Sequence, residues 1–346
     1  MVGLDSEPND SALSHLDHDA LNSMINAADF HGAIMVAHKG KPIYTVARGF
    51  ANIEWGIPNA IDTKFRIGSI TKQFTAMAIL ILQERGLLSV DDAVAAHWAA
   101  APSDWANITL HQLLTHTSGI MHSWDLPGFT DTMAVPTTLD ATLERFFGHP
   151  LLFSPGKAFA YSGVGYFLLA KIIEEAAGIP YDHFLRTAIF EPLGMIETGP
   201  DEPEMILPKR ATGYQRGEDG VARNAPTIYT PVCTGGGHLY STVQDLARWD
   251  WALTQGRLIS QESYTAYYRP ERENYAYGWR VGVVQGHTWV SHSGGLPGAS
   301  AFNQRFPNDQ LDIVLLTNLT PRTWAGIPRT IARMVLKISE QDESLF

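Results

Sequence analysis

The chain has 346 residues, 45% of them hydrophobic and 18% charged, with a formal net charge of −11. That is enough for a sizeable core in one or two domains, and the dispersed acidic residues weigh against nucleic acid and anionic membrane surfaces as partners. No stretch approaches the ~18 apolar residues of a membrane-crossing helix, and the single cysteine, Cys233, excludes an intrachain disulfide and reads as a buried or loop-lining bystander.

In chain order, residues 1–12 read as a flexible tail and residues 13–29 as an amphipathic helix. The acidic N-terminal stretch lacks the basic and apolar regions of a secretory leader. As written the chain reads as cytoplasmic, or as periplasmic or secreted where a leader has been removed. Residues 32–38 and 43–50 suit a hairpin around the turn Lys39-Gly-Lys-Pro42. An extended run over 65–68 leads into a helix beginning at Ser69, mostly buried over 73–85 and stopped by Gly86. Helices and long loops rich in Pro and Gly continue to about residue 237, including a helix over 164–177 closed by Gly178 and Pro180. Thr242-Val-Gln-Asp245 resembles a capping box and starts a helix ending near Leu253. Strands are expected over 277–284, 288–292, 300–306 and 312–318, with Pro307-Asn-Asp309 turning the last pair. A final helix covers about 328–338.

This order predicts a mixed α/β fold of the α+β kind: an antiparallel sheet flanked by N- and C-terminal helices, with an all-helical domain inserted. Residues 1–68 and 238–346 would form the sheet domain and residues 69–237 the helical one, with the active site in the cleft between them.

Three segments carry chemistry. Ser69-Ile-Thr-Lys72 places a hydroxyl and an amine on one helix face. A serine is a weak nucleophile without an adjacent base, and a lysine serves as base where burial or a nearby cation favours its neutral amine. The helix start also points N–H groups toward a developing oxyanion. By itself this string equally suits a capping serine and a solvated lysine. Tyr161-Ser162-Gly163 opens a helix, so the Tyr161 phenol can enter a cleft and accept or relay a proton; the plainer role is a hydrogen-bonded core tyrosine. In His292-Ser293-Gly294-Gly295, preceded by an expected edge strand, His292 and Ser293 present polar groups. Gly294 and Gly295 allow close backbone approach, with the Gly295 N–H as second oxyanion donor. A glycine-rich turn between strands is the alternative.

With these three motifs in this order, the sequence resembles the serine β-lactamase and penicillin-binding protein superfamily, whose motifs are S-x-x-K, Y/S-x-N and K-T-G or H-S-G. The Tyr and His forms are similar to the class C β-lactamase-like branch of β-lactamase-like esterases, D-aminopeptidases and DD-peptidases. Phe65–Phe74, Leu113–Gly119, Phe153–Gly156 and Gly236–Trp249 resemble family blocks, and the likeness runs from about residue 15 to 338. No G-x-S-x-G elbow is present. The departure is Gly163, where many members have Asn; losing that amide donor weighs against amide and β-lactam recognition more than against ester hydrolysis.

The resemblance implies an acyl-enzyme on Ser69, with Lys72 and Tyr161 handling the proton, the N–H groups of Ser69 and Gly295 binding the oxyanion, and no cofactor. The substrate would be a small ester or amide. A carboxylesterase on small acyl esters leads. The alternatives are an amide hydrolase (D-aminopeptidase, DD-peptidase or β-lactamase), an acyltransferase, or a silent binding protein on the same fold. Trp124 sits on a long loop and is a candidate apolar wall for the acyl group, equally explained by loop packing. Arg66 reads as a brace for the nucleophile's loop, and Trp279 and Trp289 as sheet-face core residues. His111, His116 and His122 lack metal-ligand spacing, so no metal is expected. A homo-oligomer is possible but nothing in the sequence indicates one.

Overall fold

The computed structural model describes residues 16–321, 324 and 326–339. The tail expected over 1–12, and the first residues of the helix expected over 13–29, lie outside that range. Helix α1 (His18–Ala27) is capped by Asp17, whose carboxylate accepts from the Ala20 amide at 2.9 Å. Strands β1 (Gly32–His38) and β2 (Lys41–Arg48) form the expected antiparallel hairpin. A short strand β3 (Phe65–Arg66) runs into a 3-10 turn, Gly68–Ile70, and then helix α2 (Thr71–Glu84). Ser69 therefore lies on the turn ahead of the α-helix rather than on its first residue. Gly68, at φ +50°, sets the change of direction.

Every residue of α2 from Thr71 to Leu82 is buried, as expected of a helix surrounded on all sides by protein. Its polar members find partners inside: Trp249 Nε1–H donates to Gln73 Oε1 at 3.0 Å, and the Thr75 hydroxyl donates to the Gly235 carbonyl at 2.6 Å. Helix α3 (Gly163–Ala177) begins one residue before the expected start. Ser162 Oγ accepts from the Gly165 amide, and Gly178 ends the helix in the left-handed region. Strand β4 (Leu239–Ser241) pairs with β3, and Thr242 caps α4 (Val243–Thr254) through the Asp245 amide at 3.1 Å.

The chain then supplies β5 (Arg280–Val284), β6 (His287–Leu296), β7 (Ala299–Phe306), β8 (Leu311–Thr317) and α5 (Ile327–Leu336). Six strands form one antiparallel sheet in the order β5-β6-β7-β8-β1-β2. Successive side chains alternate between its faces. Ile34, Val36, Ile313 and Leu315 pack with Leu21, Ile25, Ile331 and Val335 of the terminal helices. Ala33, Met35, Val314 and Leu316 join the larger cluster that includes residues of α2, α3 and α4. Among the described residues no helix is long and apolar enough to cross a membrane.

Three local expectations change. The strand expected from residue 277 starts only at Arg280, because Gly278 turns the backbone at φ +76°. Trp279 is consequently a fully buried core residue off the sheet, whereas Trp289 does lie on it. And β6 is not the edge strand: β5 pairs outside it, as far as Ser291 opposite Arg280.

Candidate active site

The pairing of β5 stops at Ser291, so on that side residues 292–296 of β6 face the Gly68–Ile70 turn instead of another strand. The approach is very close. A Cβ added at Gly294 would lie 1.9 Å from the Ile67 carbonyl oxygen and 3.3 Å from the Ser69 amide nitrogen; one at Gly68 would lie 2.6 Å from the Gly295 nitrogen. Glycine at both positions is what lets the two backbones meet. The result brings the Ser69 and Gly295 amides into one neighbourhood, beside a cavity of about 920 Å³ whose lining includes both residues. Gly294 and Gly295 are thus strand residues, not a turn between strands.

Lys72 is buried, and its Nζ lies 3.2 Å from Ser69 Oγ and donates to the Gly236 carbonyl at 2.7 Å. The same nitrogen sits over the rings of Tyr161 at 5.1 Å and Tyr166 at 5.4 Å from the centroids. Its neighbours are thus a hydroxyl, a carbonyl and two aromatic faces, without a carboxylate among the described residues. Tyr161 immediately precedes the Ser162 cap. Its hydroxyl is buried with no hydrogen-bond partner among the described residues. An unmatched buried hydroxyl is costly, and this one lies in the cavity lining beside Ser69 and Lys72.

His292 is buried with both nitrogens engaged. A carbonyl only accepts, so Nδ1–H donates to the Ser293 oxygen at 2.7 Å, and Nε2 shares a hydrogen bond with the Tyr275 hydroxyl at 2.9 Å. Its ring lies 6.1 Å from that of Tyr161. This places His292 in the polar network behind Tyr161. Ser293 and Gly295 line the cavity, as do Gly163 and Trp124, the latter 48% exposed.

The three histidines of the 111–122 segment do separate work. His111 Nδ1 is 2.7 Å from the Tyr277 hydroxyl. His116 is buried, and its Nδ1 accepts from the Ser162 amide at 3.2 Å, holding the Tyr161 segment in place. Burial, then the charge of Lys72, depresses His116 well below the ordinary imidazole range. The same two causes bring His122 down to about 4. Among the described residues no group of three or more His, Cys, Asp or Glu side chains is arranged to hold a metal ion. Cys233 is buried in the cavity wall, and burial pushes its thiol up to about 12, which leaves it a poor nucleophile. Arg66 pairs with the buried Asp201, which also meets Arg210 Nε at 3.0 Å, so it braces the strand that leads into the Ser69 turn.

The structure therefore brings Ser69, Lys72, Tyr161, Gly163, Trp124, His292, Ser293, Gly294 and Gly295 to one cavity region. Sequence reasoning did not supply the Gly236 carbonyl, Tyr275, or His122 with Ser123. A backbone acceptor carries no side-chain signature; His122 could be found only by knowing how its loop folds.

The sequence matches the family described as Beta-lactamase over residues 23–335. It is 31% identical over 320 residues to penicillin-binding protein 4* of Bacillus subtilis (strain 168), covering 84% of this chain and 68% of that protein. Against esterase EstB of Burkholderia gladioli the identity is 29% over 353 residues, with 87% and 89% covered. The crystal structure of a penicillin-binding protein from Bacillus halodurans superposes with a TM-score of 0.82 at 26% identity, over 91% of this chain and 98% of that one. With that match spanning nearly the whole sequence, the chain belongs to the beta-lactamase family and is a serine hydrolase.

Proposed function

We propose that the chain is a carboxylesterase that cleaves small acyl esters through an acyl-enzyme on Ser69. The observation that carries this reading is Ser69 Oγ at 3.2 Å from the buried Lys72 Nζ, beside the unmatched Tyr161 hydroxyl, all in the lining of one cavity. Ser69 Oγ attacks the ester carbonyl carbon, and its proton passes to the Lys72–Tyr161 pair. The charge on the former carbonyl oxygen is met by the Ser69 and Gly295 N–H groups, each worth roughly 3–4 kcal/mol. Collapse breaks the ester C–O bond, and the pair returns the proton to the departing alcohol. Water then attacks the acyl carbon, gives its proton to the same pair, and Ser69 is released as the carboxylic acid leaves. His292 and Tyr275 keep the Tyr161 region in register. Residues 1–68 with 238–346 would form the sheet part and residues 69–237 the helical part; all six strands of the main sheet come from the former.

Gly163 favours esters, which are intrinsically easier to cleave than amides, because it presents no side-chain amide to the acyl half of a substrate. Similarity to penicillin-binding protein 4* supports amide hydrolysis as a second reading. Intact-protein mass spectrometry with p-nitrophenyl butyrate and, separately, a penicillin, paired with rate assays, decides between them. Fast ester turnover with little penicillin adduct supports the esterase; a penicillin adduct on Ser69 supports the amide reading. Ser69→Ala should abolish turnover while the fold survives, and retained turnover would end the mechanism.

A further inference from the structure

Gly163 lines the cavity wall, and the structure shows what stands against it. Beside Phe167 Cζ at 3.5 Å, a Cβ at position 163 would lie 3.3 Å from Ser123 Oγ and 3.6 Å from His122 Cε1. Ser123 and His122 come from the 3-10 turn Ser123–Asp125 and its cap, on the loop that also carries Trp124. His122 Nδ1 accepts from the Trp124 amide at 3.2 Å and lies 3.3 Å from the Ser123 hydroxyl. A neutral imidazole that accepts at Nδ1 carries its proton on Nε2. Nε2 is bonded to Cε1, the ring atom nearest position 163, and it has no partner among the described residues, while the ring lines the cavity. Burial and the Lys72 charge keep the ring neutral down to about pH 4, so across the neutral range it holds one N–H and no charge.

We propose that His122 Nε2–H, at the cavity wall beside Gly163, is the donor that binds a carbonyl oxygen in the acyl half of the substrate. The inference rests on the reading of Ser69 as nucleophile and narrows it. The preferred substrates are esters whose acyl chain carries its own hydrogen-bond acceptor, such as N-acylamino acid esters, rather than plain alkanoyl esters. The buried Ser123, with Phe167, keeps position 163 small: a larger residue there would press on the Ser123 Oγ.

His122→Ser tests this, because Ser retains a side-chain acceptor for the Trp124 amide at this capping position and is too short to place a donor where Nε2 stands. The quantity to read is the ratio of kcat/KM for p-nitrophenyl N-acetylglycinate to that for p-nitrophenyl butyrate, with thermal melting as a check on folding. Loss of one hydrogen bond to a neutral acceptor should lower the ratio about fivefold to tenfold relative to wild type. A ratio equal to wild type overturns the proposal, whatever happens to the absolute rates. A wild type that prefers butyrate outright also overturns it, yet leaves the esterase reading standing. A wild type that turns over neither ester removes the esterase reading and this one together.

Discussion

Gly294→Ala offers a sharp test of the geometry around Ser69. The added Cβ would fall 1.9 Å from the Ile67 carbonyl oxygen. A carbon beside a carbonyl oxygen settles at about 3.3 Å, so the strand and the turn must separate by about 1.4 Å. Neither side can yield by rotating a side chain, since both contacts are backbone. The separation acts on the elements that hold the Ser69 and Gly295 amides, and a misplacement of about 1 Å in a reacting constellation costs on the order of 100-fold. The expected outcome is a fall of that order in kcat/KM for p-nitrophenyl butyrate. Overpacking should also lower stability by about 1–3 kcal/mol, read by urea denaturation. Gly68→Ala should behave alike, since its Cβ would meet the Gly295 nitrogen at 2.6 Å. A Gly294→Ala enzyme within threefold of wild type would refute the claim that this backbone contact sets the oxyanion geometry.

Two further outcomes follow from the same site. Lys72→Ala and Tyr161→Phe should each lower kcat by orders of magnitude, and the double variant should lose little more than the worse single one, because the two groups act as a unit; an unchanged rate in either single variant removes that residue from the proton path. Acid should destabilise the fold through His122. Its unfolded ring protonates near 6.5 while the folded ring does so only near 4, so the unfolded state binds more protons between those values. Stability from this source is complete above about pH 6.5 and is lost as pH falls toward 4. The His122→Ser variant should therefore lose less stability than wild type between pH 7 and 4.5 by urea midpoint, and an identical pH profile would contradict the assignment.

What the sequence made legible was local. The Ser69–Lys72 spacing implies contact wherever the segment is helical, and the 3-10 turn preserves it. Tyr161 was readable from its place just before a helix cap, and the six strands from their apolar runs and turn residues. What stayed hidden depended on pieces distant in sequence. The Gly236 carbonyl, which accepts from Lys72, is backbone and has no residue signature. Tyr275 meets His292 only because Gly278 and the β5–β6 hairpin fold the intervening chain back on itself. Gly163 read as a missing donor, but His122 and Ser123 reach that gap from a loop without periodic pattern. The inner position of β6 was likewise invisible, since strand order in a sheet is decided by pairing and not by the strand's own residues.

The two faces of the main sheet give neighbouring residues independent fates. Val314 answers to the interior shared with α2, while Leu315, its neighbour, answers to the layer closed by α1 and α5. Sequence change in that second layer can alter how firmly the terminal helices hold without touching the atoms around Ser69. A lineage, or a laboratory selection, can thus adjust durability and substrate choice on separate sets of positions, interleaved residue by residue along the same strands.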